Sequence, residues 1–150
     1  MNHELKFEFD EITPCIFIGT NLCCIPKFKP SLLKKGIRAD ISLEEENLDS
    51  QKGVQYYLWL PTKDFHPPSQ KQLILGVKFL DMLIKRKIKT YVHCKYGHGR
   101  SPALIAAYFI YKGLTLEKAI KKVSEKRPLT HLSSRQIKAL KKFEKIHSKL

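Results

Sequence analysis

The sequence predicts an α/β fold: a central four- to five-stranded mixed sheet flanked by helices. Three observations carry this expectation. Short runs rich in β-branched and aromatic residues (15–18, 37–43, 54–60 and 90–92) fall mainly in the first half of the chain, and helical patterns fall mainly in the second. One of those helical runs, 103–111, is apolar on every side, the mark of a central, buried helix. No internal repeat or low-complexity linker interrupts the 150 residues, so residues 1–150 are expected to form one domain.

Taken in order, residues 1–14 mix charged and apolar side chains and are expected to lead into the domain. Cys15, Ile16, Phe17 and Ile18 before Gly19 read as a first strand and turn. Pro26 and Pro30 break the next stretch, and Ser31 is placed to cap a short helix that ends at Gly36. Residues 37–43 read as a second strand, and Glu44, Glu45 and Glu46 as a solvated acidic turn. A third strand, 54–60, should end at Pro61, with 62–68 a loop.

Ser69 with Gln72 forms a capping-box signature, followed by a helix whose Leu73, Val77, Leu80 and Ile84 share one face. After the strand 90–92 and the buried helix 103–111, Gly113 stops the chain. Thr115 caps a helix over 116–126 with Ala119, Ile120 and Val123 inward, and Arg127-Pro128 ends it. Ser133 or Ser134 opens a last helix with Ile137, Leu140, Phe143 and Ile146 inward.

Composition narrows the classes. A hydrophobic fraction of 43 % is that of a globular chain. No apolar run approaches the roughly 20 residues of a membrane span, and residues 1–4 lack the apolar core of a signal peptide. The four cysteines form no C-x-x-C pair and no paired Cys/His zinc pattern, so no metal and no other cofactor is expected. Cys23 and Cys24 are adjacent, a poor geometry for an ordinary disulfide. A reducing, cytoplasmic setting and a monomeric chain are the expectations. The formal charge of +14 attracts polyanions. Much of it, such as Lys85-Arg86-Lys87 and Lys121-Lys122, reads as solvated helix surface.

The chemistry concentrates in His93-Cys94-Lys95-Tyr96-Gly97-His98-Gly99-Arg100-Ser101-Pro102, between a strand and a helix. Gly97 and Gly99 let the backbone curl, and a curled loop at a helix N-terminus turns its N–H groups toward one anion. Arg100 adds a planar fork matched to phosphate oxygens. Cys94 lies at the floor of that cradle, where these positive groups favour its thiolate and are expected to bring its pKa into the range of about 3.5–7.5. Ser101 can donate a hydrogen bond to the sulfur, and Pro102 suits a first helical turn.

Cys94, five intervening residues and Arg100, with His93 before and Ser101 after, resemble the HCxxGxxR[ST] signature of the protein tyrosine phosphatase superfamily. The length and the Leu60-Pro61-Thr62-Lys63-Asp64-Phe65-His66-Pro67-Pro68 segment look like its compact dual-specificity branch, a likeness running from about Cys15 to the C-terminus. The resemblance implies a phosphomonoester hydrolase with a cysteinyl-phosphate intermediate. It also implies the family's α/β fold, with the cysteine loop at a strand's C-terminal end.

Cys94 would be the nucleophile, and Lys95, Tyr96, Gly97, His98, Gly99 and Arg100 would bind phosphate. His93 would orient the loop. Asp64, 30 residues before Cys94, would be the general acid, although a Trp-Pro-Asp triplet is lacking. Asp40 and Asp81 are weaker candidates, lying in strand and helix patterns. Ser133, Ser134 and Gln136 lie where some members position water.

The implied substrate is a phosphorylated protein, on phosphotyrosine and phosphoserine or phosphothreonine, since 150 residues leave no room for long tyrosine-recognition insertions. The alternative is a lipid or inositol phosphate with an anionic headgroup. Lys95 fits phosphoinositide phosphatases, and residues 93 onward, including Thr130-His131-Leu132, are similar to phosphatidylglycerophosphate phosphatases of the mitochondrial type. RNA 5′-triphosphatase activity, hence nucleic acid, and a non-catalytic phosphate-binding module are less expected.

Overall fold

The computed structural model describes residues 4–24, 27–48, 50 and 52–147. Pro26 and the first three residues lie outside them. The sheet has five strands: β1 (Phe9–Thr13), β2 (Ile16–Gly19), β3 (Ile37–Glu44), β4 (Tyr56–Thr62) and β5 (Lys89–His93). Their order is β1-β2-β5-β3-β4, with β1 antiparallel to β2 and the remaining pairs parallel. The helices are α1 (Pro30–Lys34), α2 (Gln70–Lys85), α3 (Arg100–Tyr111), α4 (Leu116–Lys126) and α5 (Ser134–His147), with a 3₁₀ turn at Asn21–Cys23.

The sheet separates two cores by the period-two alternation of its side chains. Ile16, Ile18, Ile41, Leu43 and Val92 face the large core under α2 to α5. Phe17 and Tyr91 face a smaller core with Phe28, Leu32, Cys23 and Cys24, which Ile37 joins from beyond the register shift between Ile37 and Ala39. Helix α3 runs through the larger core, and every residue from Arg100 to Ile110 is buried. Helix α2 packs closely on it at Gly76, where a Cβ would come within 2.7 Å of Leu104. No helix among the described residues is long and apolar enough to cross a membrane.

Several expectations change. Residues 9–13, expected to be a lead-in, form β1, an edge strand held to β2. Pro61 does not end β4. It lies inside it, which the edge position of β4 allows because one side of the strand needs no N–H donor. Ser31 does not cap α1, which starts one residue earlier at Pro30 without a side-chain cap. Ile146 is 53 % exposed rather than inward. The capping box of Ser69 and Gln72 and the cap of Thr115 form as expected. Ser133 accepts from the Gln136 N–H at 3.2 Å and donates its own N–H to Gln136 Oε1 at 2.8 Å, so it caps α5.

Candidate active site

Strand β5 ends at His93 and α3 begins at Arg100, so residues 94–99 make a turn between two buried elements. Gly97 sits at φ +71°, and a Cβ there would stand 2.7 Å from the Gly19 carbonyl oxygen. Conformation and close approach both require glycine. The turn is pinned from three sides. Asn21 donates its N–H to the Lys95 carbonyl at 3.0 Å. His131 donates its N–H to the His98 carbonyl at 2.6 Å.

The third hold is Arg127, fully buried past the end of α4. It donates from Nε to the Gly97 carbonyl at 3.1 Å and from Nη2 to the Tyr96 carbonyl at 2.8 Å. Glu8 at 2.7 Å and Asp10 at 2.9 Å balance its charge. Arg127 reads in the sequence only as the end of a helix. The structure makes it the clamp of the loop, tied by two carboxylates from the N-terminal edge.

Cys94, 3 % exposed, lies at the bottom of a cavity of about 810 Å³. Asp64, Phe65, Tyr96, His98, Gly99, Arg100, Leu129, His131 and Gln136 are among the residues around it. Its Sγ is 3.3 Å from Ser101 Oγ. Behind the cysteine, His93 is buried, with Nδ1 3.3 Å from the Cys94 carbonyl and Nε2 3.2 Å from the Asp40 carboxylate. The histidine thus bridges the loop to β3.

The Arg100 side chain is 1 % exposed and reaches three partners. It donates from Nη1 to the Thr62 carbonyl at 2.8 Å, and a fork of 2.5 Å and 3.0 Å holds both Glu46 oxygens. Its Nη2 lies 3.6 Å from Asp64 Oδ1. Its Nε is buried with no acceptor among the described residues, a donor left over for an oxygen of a bound anion. Burial opposes the Arg100 charge, but the Glu46 hydrogen bond and the nearby Cys94, Asp64 and Glu46 charges outweigh it and raise its pKa. Burial pushes the Glu46 carboxyl up, and the hydrogen bond and charge of Arg100 bring it below its ordinary value.

The acidic run 44–46 is therefore not a solvated turn throughout. Glu44 is fully buried and accepts from Asn21 Nδ2 at 2.8 Å, and Glu46 binds Arg100. Glu45 and Glu46 are both exposed, as expected, but Glu46 is engaged by Arg100. The partners lie 23 and 54 residues away, out of reach of any local pattern.

Asp64 lies at the cavity mouth, its side chain 45 % exposed and its Oδ1 accepting the Phe65 N–H at 2.9 Å. Phe65 has φ +63°, an uncommon conformation for a bulky residue. Helix α5 holds this loop. Ser133 Oγ donates to the Phe65 carbonyl at 2.8 Å, and Gln136 Nε2 donates to the His66 carbonyl at 3.2 Å. Of the three water-positioning candidates, Gln136 lines the cavity and Ser133 holds the loop, while Ser134 does not line it.

Lys95 does not line the cavity either. Its Nζ lies over the Tyr96 ring at 5.6 Å. Asp40 is buried against His93, and Asp81 is engaged with Lys85 and Lys112, so neither faces the cavity.

A thiol under a glycine-rich turn, an arginine fork beside it and a carboxyl at the rim define a cysteine-based phosphatase site on an α/β scaffold. Residues 16–146 match the family described as dual specificity phosphatase, catalytic domain, and the chain belongs to that family. It is 33 % identical over 152 residues to phosphatidylglycerophosphate phosphatase PTPMT2 of Arabidopsis thaliana, a match covering 95 % of this chain and 65 % of that protein. It is 39 % identical over 70 residues to the protein-tyrosine-phosphatase IBR5 of the same plant, covering 46 % of this chain and 27 % of that one. The chain thus spans less than two-thirds of the length of these relatives. Among solved structures, the crystal structure of PTPMT1 superposes with a TM-score of 0.80 at 26 % identity, over 94 % of this chain and 96 % of that one.

Proposed function

We propose that this chain hydrolyses a lipid phosphate monoester of the phosphatidylglycerophosphate type through a cysteinyl-phosphate. The observation that carries the reaction is that Cys94, Arg100 and Asp64 all border one cavity. The Cys94 thiolate attacks phosphorus, forming an S–P bond as the ester P–O bond breaks. Asp64 gives its proton to the departing oxygen. The equatorial oxygens lie against Arg100 and the N–H groups of residues 95–99, which carry the developing charge. In the second step the Asp64 carboxylate takes a proton from water as that water attacks phosphorus, and Ser101 donates to the departing sulfur. His93 is a positioning residue. Gln136, beside Gly99, is placed to orient the water.

Three features support the lipid. The similarity to a phosphatidylglycerophosphate phosphatase covers 95 % of the chain. The cavity mouth carries Phe65, 69 % exposed, with Pro128 and Leu129, an apolar rim suited to a lipid substrate. The charge of +14 adds attraction to an anionic surface. The reading of protein dual specificity is favoured by the family itself and by the similarity to IBR5.

One panel at near-physiological salt tests both: vesicles containing phosphatidylglycerophosphate, and phosphotyrosine and phosphothreonine peptides. The lipid is expected to give the higher kcat/KM by tenfold or more. Peptides turned over faster than the lipid would overturn the lipid assignment. Cys94→Ser is expected to lose turnover on every substrate while still binding inorganic phosphate, and wild-type rates in that variant would overturn the mechanism.

A further inference from the structure

Behind the catalytic turn, in the smaller core, lies a second cluster of chemically capable side chains, of which only His93 also serves the phosphatase site, as a positioning residue. Cys23 and Cys24, at the end of the 3₁₀ turn, are joined to each other by a disulfide. This corrects the expectation that neighbours in sequence would not pair, and it places both sulfurs in a bond with each other rather than with Cys94. Both residues are fully buried, as are Asp40 on β3 and His93 on β5. One ligand atom from each of the four lies within 4.8 Å of the others.

We propose that reduction of this disulfide opens a four-ligand site for zinc, made by Cys23, Cys24, Asp40 and His93. Zinc–sulfur bonds of about 2.3 Å and zinc–nitrogen or zinc–oxygen bonds of about 2.0–2.1 Å, at the tetrahedral angle, separate ligand atoms by about 3.3–3.8 Å. Three of the four residues already stand near that spacing. Cys24 Sγ is 3.7 Å from Asp40 Oδ2 and 3.8 Å from His93 Nε2, and His93 Nε2 is 3.2 Å from Asp40 Oδ1. Asp40 meets Cys24 through one carboxylate oxygen and His93 through the other, and with a single oxygen taken from it all four ligand atoms lie within 4.8 Å of one another. The fourth corner is Cys23, whose sulfur must part from Cys24 once the S–S bond is gone and already lies within 4.8 Å of the other ligand atoms.

The second shell fits as well. A metal-binding imidazole commonly donates its other ring N–H to a carbonyl. Here Nδ1 lies against the Cys94 carbonyl at 3.3 Å, which leaves Nε2 turned toward Cys24 and Asp40. The ligands come from positions 23, 24, 40 and 93, in three separate elements. That dispersal is why no zinc spacing is visible in the sequence.

The chemistry balances with a dithiol reductant. Two electrons and two protons pass to Cys23 and Cys24, the S–S bond breaks, and the reductant becomes a disulfide. Zinc then displaces the thiol protons into solvent. The site lies one residue behind the nucleophile, so zinc on His93 Nε2 would fix the ring from which the catalytic turn hangs. This inference does not depend on the identity of the phosphate substrate.

The test uses the full chain with Cys94→Ser, which removes the active-site thiol as a rival ligand. Protein produced with zinc present and purified under a dithiol reductant is expected to hold one zinc per chain by elemental analysis. Cobalt in its place should give the visible bands of a tetrahedral ion and a near-ultraviolet thiolate charge-transfer band. The same chain oxidised, with loss of two hydrogens confirmed by mass on the peptide carrying Cys23 and Cys24, should hold none. This comparison needs no further substitution, so folding of a variant does not confound it. In a parallel arm, Cys24→Ser that still binds inorganic phosphate should lose the charge-transfer band or halve it. Reduced protein with less than a tenth of an equivalent of metal would overturn the proposal, and so would equal metal in the reduced and oxidised forms.

Discussion

Removing the Glu46 carboxylate is expected to lower activity, and the size of the loss follows from the geometry. Glu46 holds the Arg100 fork through two hydrogen bonds, at 2.5 Å and 3.0 Å. A hydrogen bond to a charged group contributes about 1.5–3 kcal/mol. The Glu46 side chain is 36 % exposed, so solvent screens part of that. Arg100 also keeps its bond to the Thr62 carbonyl at 2.8 Å. A net loss of about 1–2 kcal/mol in transition-state stabilisation, roughly 5- to 30-fold in kcat/KM, is the expected result for Glu46→Ala.

The assay is steady-state hydrolysis of an aryl phosphate, with vanadate affinity as the second readout. Glu46→Gln, which keeps an acceptor and drops the charge, should fall between. A rate for Glu46→Ala within twofold of the parent would refute the orienting role. A faster variant would refute it more sharply, since it would mean that Glu46 competes with the substrate for Arg100.

The same pair gives a sign for pH. The folded Glu46 carboxyl lies below its ordinary value because burial is outweighed by Arg100, so its stabilisation is fully present above the unfolded glutamate value. It is lost as pH falls through the depressed folded value. Thermal unfolding across that acid window should therefore show a shallower fall in Tm for Glu46→Gln than for the parent. Asp64→Asn should slow an alkyl phosphate by about 10²–10⁴-fold and an activated aryl phosphate far less; an equal loss on both would move the acid to another group. Arg127→Met should cost about 2–4 kcal/mol in denaturant unfolding and weaken vanadate binding, because the Gly97 and Tyr96 carbonyls lose their clamp. Unchanged vanadate affinity would show that the loop holds its shape without it.

The parts readable from sequence are those whose causes are local. The turn from Cys94 to Arg100 declares itself because glycine spacing, a strand before and a helix after are all properties of adjacent residues. The buried helix α3 follows from an unbroken apolar run, and the capping box of Ser69 and Gln72 from residues three apart. Asp64 stands out through the family resemblance and its place in a proline-flanked loop rather than through any local pattern of its own, and its Oδ1 lies 3.6 Å from Arg100 Nη2.

Tertiary structure decided whatever depends on a distant partner. Strand β1 exists because β2 offers an edge to residues with little strand pattern of their own. Glu44 and Glu46 read as solvated because charge runs usually are, yet Asn21 and Arg100 claim them once the chain folds. Arg127 becomes the clamp of the catalytic turn only when Glu8 and Asp10 arrive from the opposite end of the chain. Cys23 and Cys24 meet Asp40 and His93 only because the alternation of β3 and β5 turns those two side chains to the same face. A pattern along the chain encodes short-range backbone preference, whereas a buried charge is stabilised by whichever opposite charge the fold carries to it.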